Sequence, residues 1–390
     1  MKLSARSLLL IDRLFWLPHQ ITEFLFKTFA SISSDHTEHL FTVKFMGLGS
    51  IIRFAALCEH HQVDKSKVTL VTFSQQKEVC TLFGFQQIYF LRANNLFYFL
   101  RDCWNLLSCI RHQRPSCIIN FERCSHAVST FCLLLAWWGK FQTMSFEPNR
   151  SVFTKKIIIH PVDEITLEKL FLLGIERMAK TKVHTKTMRV KVHAHKILIN
   201  INASDFLLAR RYPVESFAEI IRLLYLQHNK LEFYLTGSPH ESQYVDTLMS
   251  LLNGFPVYNM AGAWNFQQLI EELSSCALFI TGDSGPVHLA VYLGIPAIAL
   301  WGPTQPQHFG YERSRNLFSL SLNLACSPCF KHPASLPARF CKGRIDCLKN
   351  LAPKTVANKA SYLIETTSVQ RTINFPEKWK LSVKPEYVEQ

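Results

Sequence analysis

The chain has 390 residues, too many for one ordinary core, so two domains are expected. Its apolar fraction of 48%, with 30 Phe, is ample for globular cores, and its net charge of +14 calls for an anionic partner. No Lys/Arg block of five or more marks a nucleic-acid arm and no apolar run reaches about 18 residues, so no nucleic-acid partner and no spanning helix are expected; phosphorylated substrates or an anionic membrane surface fit better.

Residues 1–36 place Leu8, Leu9, Leu10, Ile11, Leu14, Phe15 and Trp16 before Pro18, and Ile21, Phe24, Leu25, Phe26 and Phe29 after it. They read as two short helices joined at Pro18, because proline lacks a backbone donor. With Arg6, Arg13 and Lys27 beside them, their apolar faces suit a membrane interface or packing on the first domain. Asp12 and Arg13 interrupt the N-terminal apolar run, so no secretory signal is expected.

The first domain is expected over 37–190. Residues 40–45 read as a strand, Gly47-Leu-Gly-Ser50 as its turn, and a helix follows through Ala55, Ala56 and Leu57. Further strands are expected at 68–73, 88–91 and 117–121. Glu122 follows the last of these, where open α/β sheets bind ligands; it suits general-base work or is an exposed loop charge. Residues 127–138 form an apolar helix too short to span a bilayer. A helix over about 163–178 and a basic stretch over 180–191 lead to a domain boundary near 185–194.

The second domain is expected over 191–350, with a C-terminal helix and tail over 351–390. A strand over 196–201 leads into a loop ending in Arg210-Arg211-Tyr212-Pro213, then a helix over 214–228. The strand at 231–235 turns at Thr236-Gly237-Ser238-Pro239, and Glu241 opens the next helix, where its dipole favours a carboxylate. A strand at 257–260 ends in Met260-Ala261-Gly262, and 266–274 is helical. Strand 277–281, the turn Gly282-Asp283-Ser284-Gly285, helix 287–293 and strand 297–301 then form a β-α-β unit, which requires a parallel sheet. Pro286 suits the first helical position and Gly294 a left-handed cap. A final helix spans 356–365, and 370–390 read as an exposed tail.

That β-α-β unit carries the strongest chemistry. Free N–H groups and the helix dipole after Gly285 favour a diphosphate. Asp283 suits a ribose or sugar hydroxyl, Ser284 a helix cap, and His288 lies one turn in, facing a bound phosphate. A purely structural turn with a capping Ser and a packed His would use the same spacing.

Thr281-Gly-Asp-Ser-Gly-Pro-Val-His-Leu-Ala290, Leu293-Gly-Ile-Pro296 and Leu300-Trp-Gly-Pro-Thr304 resemble the signature of glycosyltransferase family 9, which contains the lipopolysaccharide heptosyltransferases. Leu235-Thr-Gly-Ser-Pro-His-Glu241, Met260-Ala-Gly262 and Arg210-Arg-Tyr-Pro213 extend the resemblance, with looser matches at 47–50 and 70–73. It implies an α/β chain of GT-B architecture, two Rossmann-like doubly wound domains facing across a cleft. It implies inverting, metal-independent transfer of a sugar, a heptose, from a nucleotide diphosphate to a lipopolysaccharide core or related glycolipid, at the cytoplasmic face of the inner membrane. Arg210 would reach the diphosphate and Glu241 the ribose. Met260 would lie beside the nucleotide, and Asp283, Ser284, Gly285, Pro286, His288 and Thr304 would contact phosphate or sugar. The C-terminal helix of such folds packs back on the first domain.

The chain departs from the family at Ser50, where heptosyltransferases carry the Asp that serves as base. A hydroxyl is no unaided base near neutral pH. Either another carboxylate substitutes, Glu122 first, or the chain is not a standard heptosyltransferase, or it is an inactive homologue that binds nucleotide sugar or glycolipid. Of its 12 Cys, eight are scattered and read as reduced core thiols, as in a cytosolic protein. Cys326, Cys329, Cys341 and Cys347 cluster late, and their spacing leaves a structural zinc site, paired thiols and unlinked thiols open; no cofactor is required for the reaction.

Overall fold

A computed structural model describes residues 14–29, 39–145 and 187–374, with breaks at 46, 93–94, 114, 116, 123–125, 141, 204–207, 307–313, 330–343 and 368–369. The described residues fall into two compact units that part between residues 145 and 187. The expected helix over 163–178 lies outside the described residues.

The first unit is a parallel sheet of β1 (Leu40–Val43), β2 (Val68–Phe73), β3 (Gln87–Leu91), β4 (Cys117–Asn120) and β5 (Gln142–Ser145), in the order β3-β2-β1-β4-β5. β1, β2 and β4 are buried at nearly every position rather than at alternate ones, as strands covered on both faces must be. Its helices are α1 (Trp16–Phe29), α2 (Leu48–His60), α3 (Lys77–Leu82), α4 (Leu96–Gln113) and α5 (His126–Gly139). Leu106 and Ile110 of α4 and Cys132, Leu133 and Ala136 of α5 pack with Phe41, Val43, Val71 and Ile118. Each such fully buried side chain contributes about 1.5–3 kcal/mol. α2 buries Ile51, Ile52 and Phe54, and Phe54 stacks on Phe85.

The expected break at Pro18 does not occur. α1 runs through it, because Pro18 sits in the first turn, where its missing N–H would have had no helical partner.

The second unit is a six-stranded parallel sheet of β7 (His193–Asn200), β8 (Glu232–Leu235), β9 (Val257–Asn259), β10 (Cys276–Gly282), β11 (Ala297–Leu300) and β12 (Leu317–Leu320), ordered β12-β11-β10-β7-β8-β9. That is the doubly wound order, two three-stranded halves meeting between β7 and β10. α6 (Val214–Gln227), α7 (Ser242–Met249), α8 (Phe266–Ser275), α9 (Gly285–Leu293), α10 (Asp346–Lys349) and α11 (Pro353–Glu365) complete it. α9 is apolar on nearly every side and buried, and Gly294 closes it at φ 76°.

One expectation is corrected here. The tail does not begin at 370: β13 (Gln370–Asn374) pairs antiparallel with β6 (Thr187–Lys191), and Arg371 donates to the carbonyls of Cys276 and Ala277. The polar stretch before β7 is thus an edge ribbon, invisible to an apolar-run criterion. α11 packs on α6, with Val356, Ala357, Ala360 and Leu363 in the second unit's own core.

Candidate functional site

In a doubly wound sheet the crevice opens beyond the strand ends where the order reverses. In the second unit those ends are Asn200 of β7 and Gly282 of β10, and most of the expected donor-side residues follow them. Asp283 is buried, 2% exposed. Arg210 Nη1 donates to its Oδ2 at 3.2 Å and Thr304 Oγ1 donates to the same oxygen at 2.7 Å. Asp283 Oδ1 is buried with no hydrogen-bond partner among the described residues. Burial alone would raise this carboxyl's pKa. The charge of Arg210, the Thr304 hydrogen bond and the charge of His288 outweigh it, so the pKa lies below the usual carboxylate value. The β-α-β unit therefore brings together Arg210, Asp283, His288 and Thr304.

Ser284 does not cap α9 with its side chain. Its hydroxyl instead shares a hydrogen bond with Thr281 at 2.9 Å and accepts from Asn200 Nδ2 at 3.5 Å. This corrects the sequence expectation and bears on chemistry: the Ser284 hydroxyl does not claim the start of α9, and with Pro286 lacking an N–H and Val287 N donating to Ser284 O at 3.2 Å, it is the Gly285 amide that can receive an anion. The helix begins at Gly285, so Pro286 takes its second position rather than its first, still within the turn where its missing donor costs nothing.

Glu241 stands apart. Its Oε2 accepts from Ser238 N at 2.7 Å and Ser238 Oγ at 2.8 Å in a capping box, so it closes a short turn and stands, as expected, at the start of α7, whose N-cap residue it is. Glu241 lines an open cavity of about 640 Å³ with Arg211, His240 and Tyr244. Arg211 lies over the Tyr244 ring at 3.9 Å. The Met260 loop is tied to the same turn, since Gly262 N donates to Gly237 O at 2.9 Å. Gly237 is required there: a Cβ would stand 2.7 Å from Asn202 Nδ2.

Ser50 and Glu122 lie in the first unit. Its sheet reverses between β1 and β4, and Glu122 bridges that point. Its Oε2 accepts from Lys44 Nζ at 2.7 Å and its Oε1 from Phe45 N at 2.7 Å. Glu122 is buried, 8% exposed, so it is not a solvated loop charge. Ser50 lies in the first turn of α2, its N donating to Gly47 O at 3.1 Å. Lys44, Asn202 and Arg211 were missed by sequence reasoning. Lys44 immediately follows β1, Asn202 lies two residues past the end of β7 and Arg211 doubles a basic residue, positions that could have flagged them.

Burial pushes the Cys80 thiol up to about 12, and burial with nearby Asp102 pushes Cys103 to about 11, so these are packing groups rather than nucleophiles. Cys341 lies outside the described residues. Cys326 is exposed, while Cys347 is buried beside Gly302. Among the described residues, no three His, Cys, Asp or Glu are grouped to hold a metal ion.

Residues 142–339 match the family model described as glycosyltransferase family 9 (heptosyltransferase). The chain is 26% identical over 246 residues to lipooligosaccharide heptosyltransferase 2 of Campylobacter jejuni, covering 56% of this chain and 74% of that one. Its fold resembles that of Escherichia coli ADP-heptose LPS heptosyltransferase II, with a TM-score of 0.60 at 16% identity over 84% of this chain and 98% of the other. It also resembles a family 9 glycosyl transferase from Veillonella parvula, at 0.63 and 17% over 86% and 100%. The fold class is GT-B, and each unit supplies the Rossmann-like sheet that the class requires.

Proposed function

The chain belongs to glycosyltransferase family 9 and is a glycosyltransferase that uses a nucleotide-sugar donor, and we propose that it transfers heptose from ADP-heptose, with inversion, to a lipopolysaccharide core or related glycolipid. The observation that carries this reading is the Arg210–Asp283–Thr304 cluster beside the uncapped start of α9.

The donor diphosphate sits at that helix end, where the Gly285 amide, the helix dipole, Arg210 and His288 stabilise the charge that grows as the sugar departs. Preorganised donors of this kind need no metal. Asp283 fixes the guanidinium of Arg210, and its unclaimed Oδ1 accepts a sugar hydroxyl. The nucleoside occupies the cavity lined by Glu241 and Arg211. In the first unit Glu122, held by Lys44, takes the acceptor's proton in place of the residue that Ser50 cannot replace. The acceptor is lipid-linked, so the enzyme works at the cytoplasmic face of the inner membrane. No helix among the described residues is long and apolar enough to cross a membrane.

The test is transfer, or donor hydrolysis, with a panel of nucleotide sugars. Full activity of Asp283→Ala would refute the donor site, and wild-type behaviour of Glu122→Gln would refute the base. Ser50 favours a second reading, a homologue that binds donor without turnover. Calorimetric donor binding with no product from any acceptor would establish it.

A further inference from the structure

Three helices of the first unit form a layer in which α1 packs on α5 and α5 on α4. α4 and α5 bury one face against the sheet. An ordinary surface helix would make its other face polar. Here the outer face of α4 carries Phe97, Leu100 and Trp104, with Phe97 69% and Trp104 66% exposed. Their three- and four-residue spacing puts them on one stripe. α1 repeats the pattern with exposed Leu17, Ile21 and Phe24, and α5 adds Trp138 between. Large apolar side chains on three adjacent helices form a patch rather than isolated residues, and such patches mark interaction surfaces.

The charge around the patch is mainly positive: α1 carries one acid, Glu23, and one base, Lys27, and the excess of cations comes from α4 and the residue after α5. Arg111 lies over the Trp138 ring at 4.8 Å and Arg101 over Tyr98 at 5.1 Å. Exposed Lys140 follows α5. α5 contains no acidic residue, and the only acid of α4, Asp102, is buried and paired with Arg92 at 2.5 Å. Aromatic rings carrying guanidinium groups beside an aliphatic stripe suit a headgroup–acyl boundary, with rings and aliphatics below and cations at anionic headgroups. A second copy meeting this face would set one mainly cationic patch against another, which disfavours self-association.

We propose that the outer face of α1, α4 and α5 docks on an anionic lipid bilayer, with Phe97, Leu100 and Trp104 inserted and Arg101 and Arg111 at the headgroups. This deepens the reading of a lipid-linked acceptor and rests on it for its purpose, but it is measured without transfer. The full chain is incubated with vesicles of phosphatidylcholine alone, or with phosphatidylglycerol added, and floated on a density gradient. The chain is expected to float with the anionic vesicles and not with the neutral ones. Phe97→Ser with Trp104→Ser should lower the bound-to-free ratio about tenfold or more, and Arg101→Glu with Arg111→Glu should abolish the preference for phosphatidylglycerol. Phe97 and Trp104 are mostly exposed, Phe97 meets the exposed Tyr98 ring edge-on at 5.8 Å, and Arg101 and Arg111 lie over Tyr98 and Trp138 at the surface, so circular dichroism and melting should stay close to the parent. Failure of the parent to float, or flotation of the double serine variant like the parent, overturns the proposal. So does a parent dimer that the same serine substitutions dissociate without any vesicle binding. Donor hydrolysis in free solution should be equal in parent and variants. Vesicle binding through Trp104 without hydrolysis would sink the transferase reading and leave this one standing, and hydrolysis without vesicle binding would do the reverse.

Discussion

Replacing Asp283 by Asn removes one charge and little volume. Asp283 is fully enclosed, whereas the Arg210 side chain keeps 17% of its surface. Breaking a buried pair on one side costs about 3–5 kcal/mol, because the remaining charge loses its partner. The residual exposure of Arg210 and the hydrogen bond that Thr304 can still donate to the amide oxygen put this case near the low end, about 3 kcal/mol. At about 2–4 °C per kcal/mol for a unit of this size, thermal unfolding should move down by about 6–12 °C at pH 7.5. The folded pKa of Asp283 lies below its unfolded value, so its contribution is present above the unfolded pKa and is lost as pH falls through the folded one. The gap between parent and variant should therefore be constant above about pH 5 and narrow below about pH 4. Arg210→Met gives the converse: the carboxylate left behind is dominated by burial, so its deficit should grow with rising pH. The double variant should be less damaged than the sum of the two. Differential scanning calorimetry across pH measures all three, with donor hydrolysis in parallel, where Asp283→Asn should lose about 10²–10³-fold. A melting shift under about 2 °C, or strict additivity in the double variant, would refute the coupling of Arg210 to Asp283.

Glu122→Gln should lower transfer about 10²–10⁴-fold with donor affinity unchanged, while Ser50→Ala should stay within about threefold, both read by product formation at saturating donor. Tyr212→Phe removes the hydroxyl that donates to Leu351 O at 2.6 Å in a buried site and should cost about 1–3 kcal/mol in denaturant unfolding. Gly302→Ala would set a methyl 2.6 Å from Leu348 Cγ and 3.0 Å from Cys347 Sγ, and should cost about 1–3 kcal/mol by the same measurement. Ser284→Ala should cost about 1–3 kcal/mol, because buried Thr281 and Asn200 lose a partner even though no helix N–H depends on the hydroxyl.

The mainly apolar runs at 68–73, 117–121 and 277–281 were legible as strands, since a strand covered on both faces has no solvated side to call for alternating polar residues. The glycine–aspartate turn before α9 was legible too, because backbone geometry at a strand-to-helix turn restricts residue types locally. The edge ribbon of β6 and β13 and the short β12 were not, since their stability comes from partners distant in the chain rather than from their own pattern. The same limit applied to side chains. Sequence alone could propose Ser284 as a cap, but Asn200 and Thr281, brought beside it by sheet pairing, take its hydroxyl and leave the helix end open. Glu122 could be named as a carboxylate past a strand. Only the adjacency of β1 and β4 put Lys44 and the Phe45 amide on its oxygens. Local sequence determined which elements form, because period and turn chemistry act over a few residues. The pairing of β7 with β10, which carries Asn200 to Ser284 across 84 positions, was decided by tertiary structure, because strand order depends on the whole core.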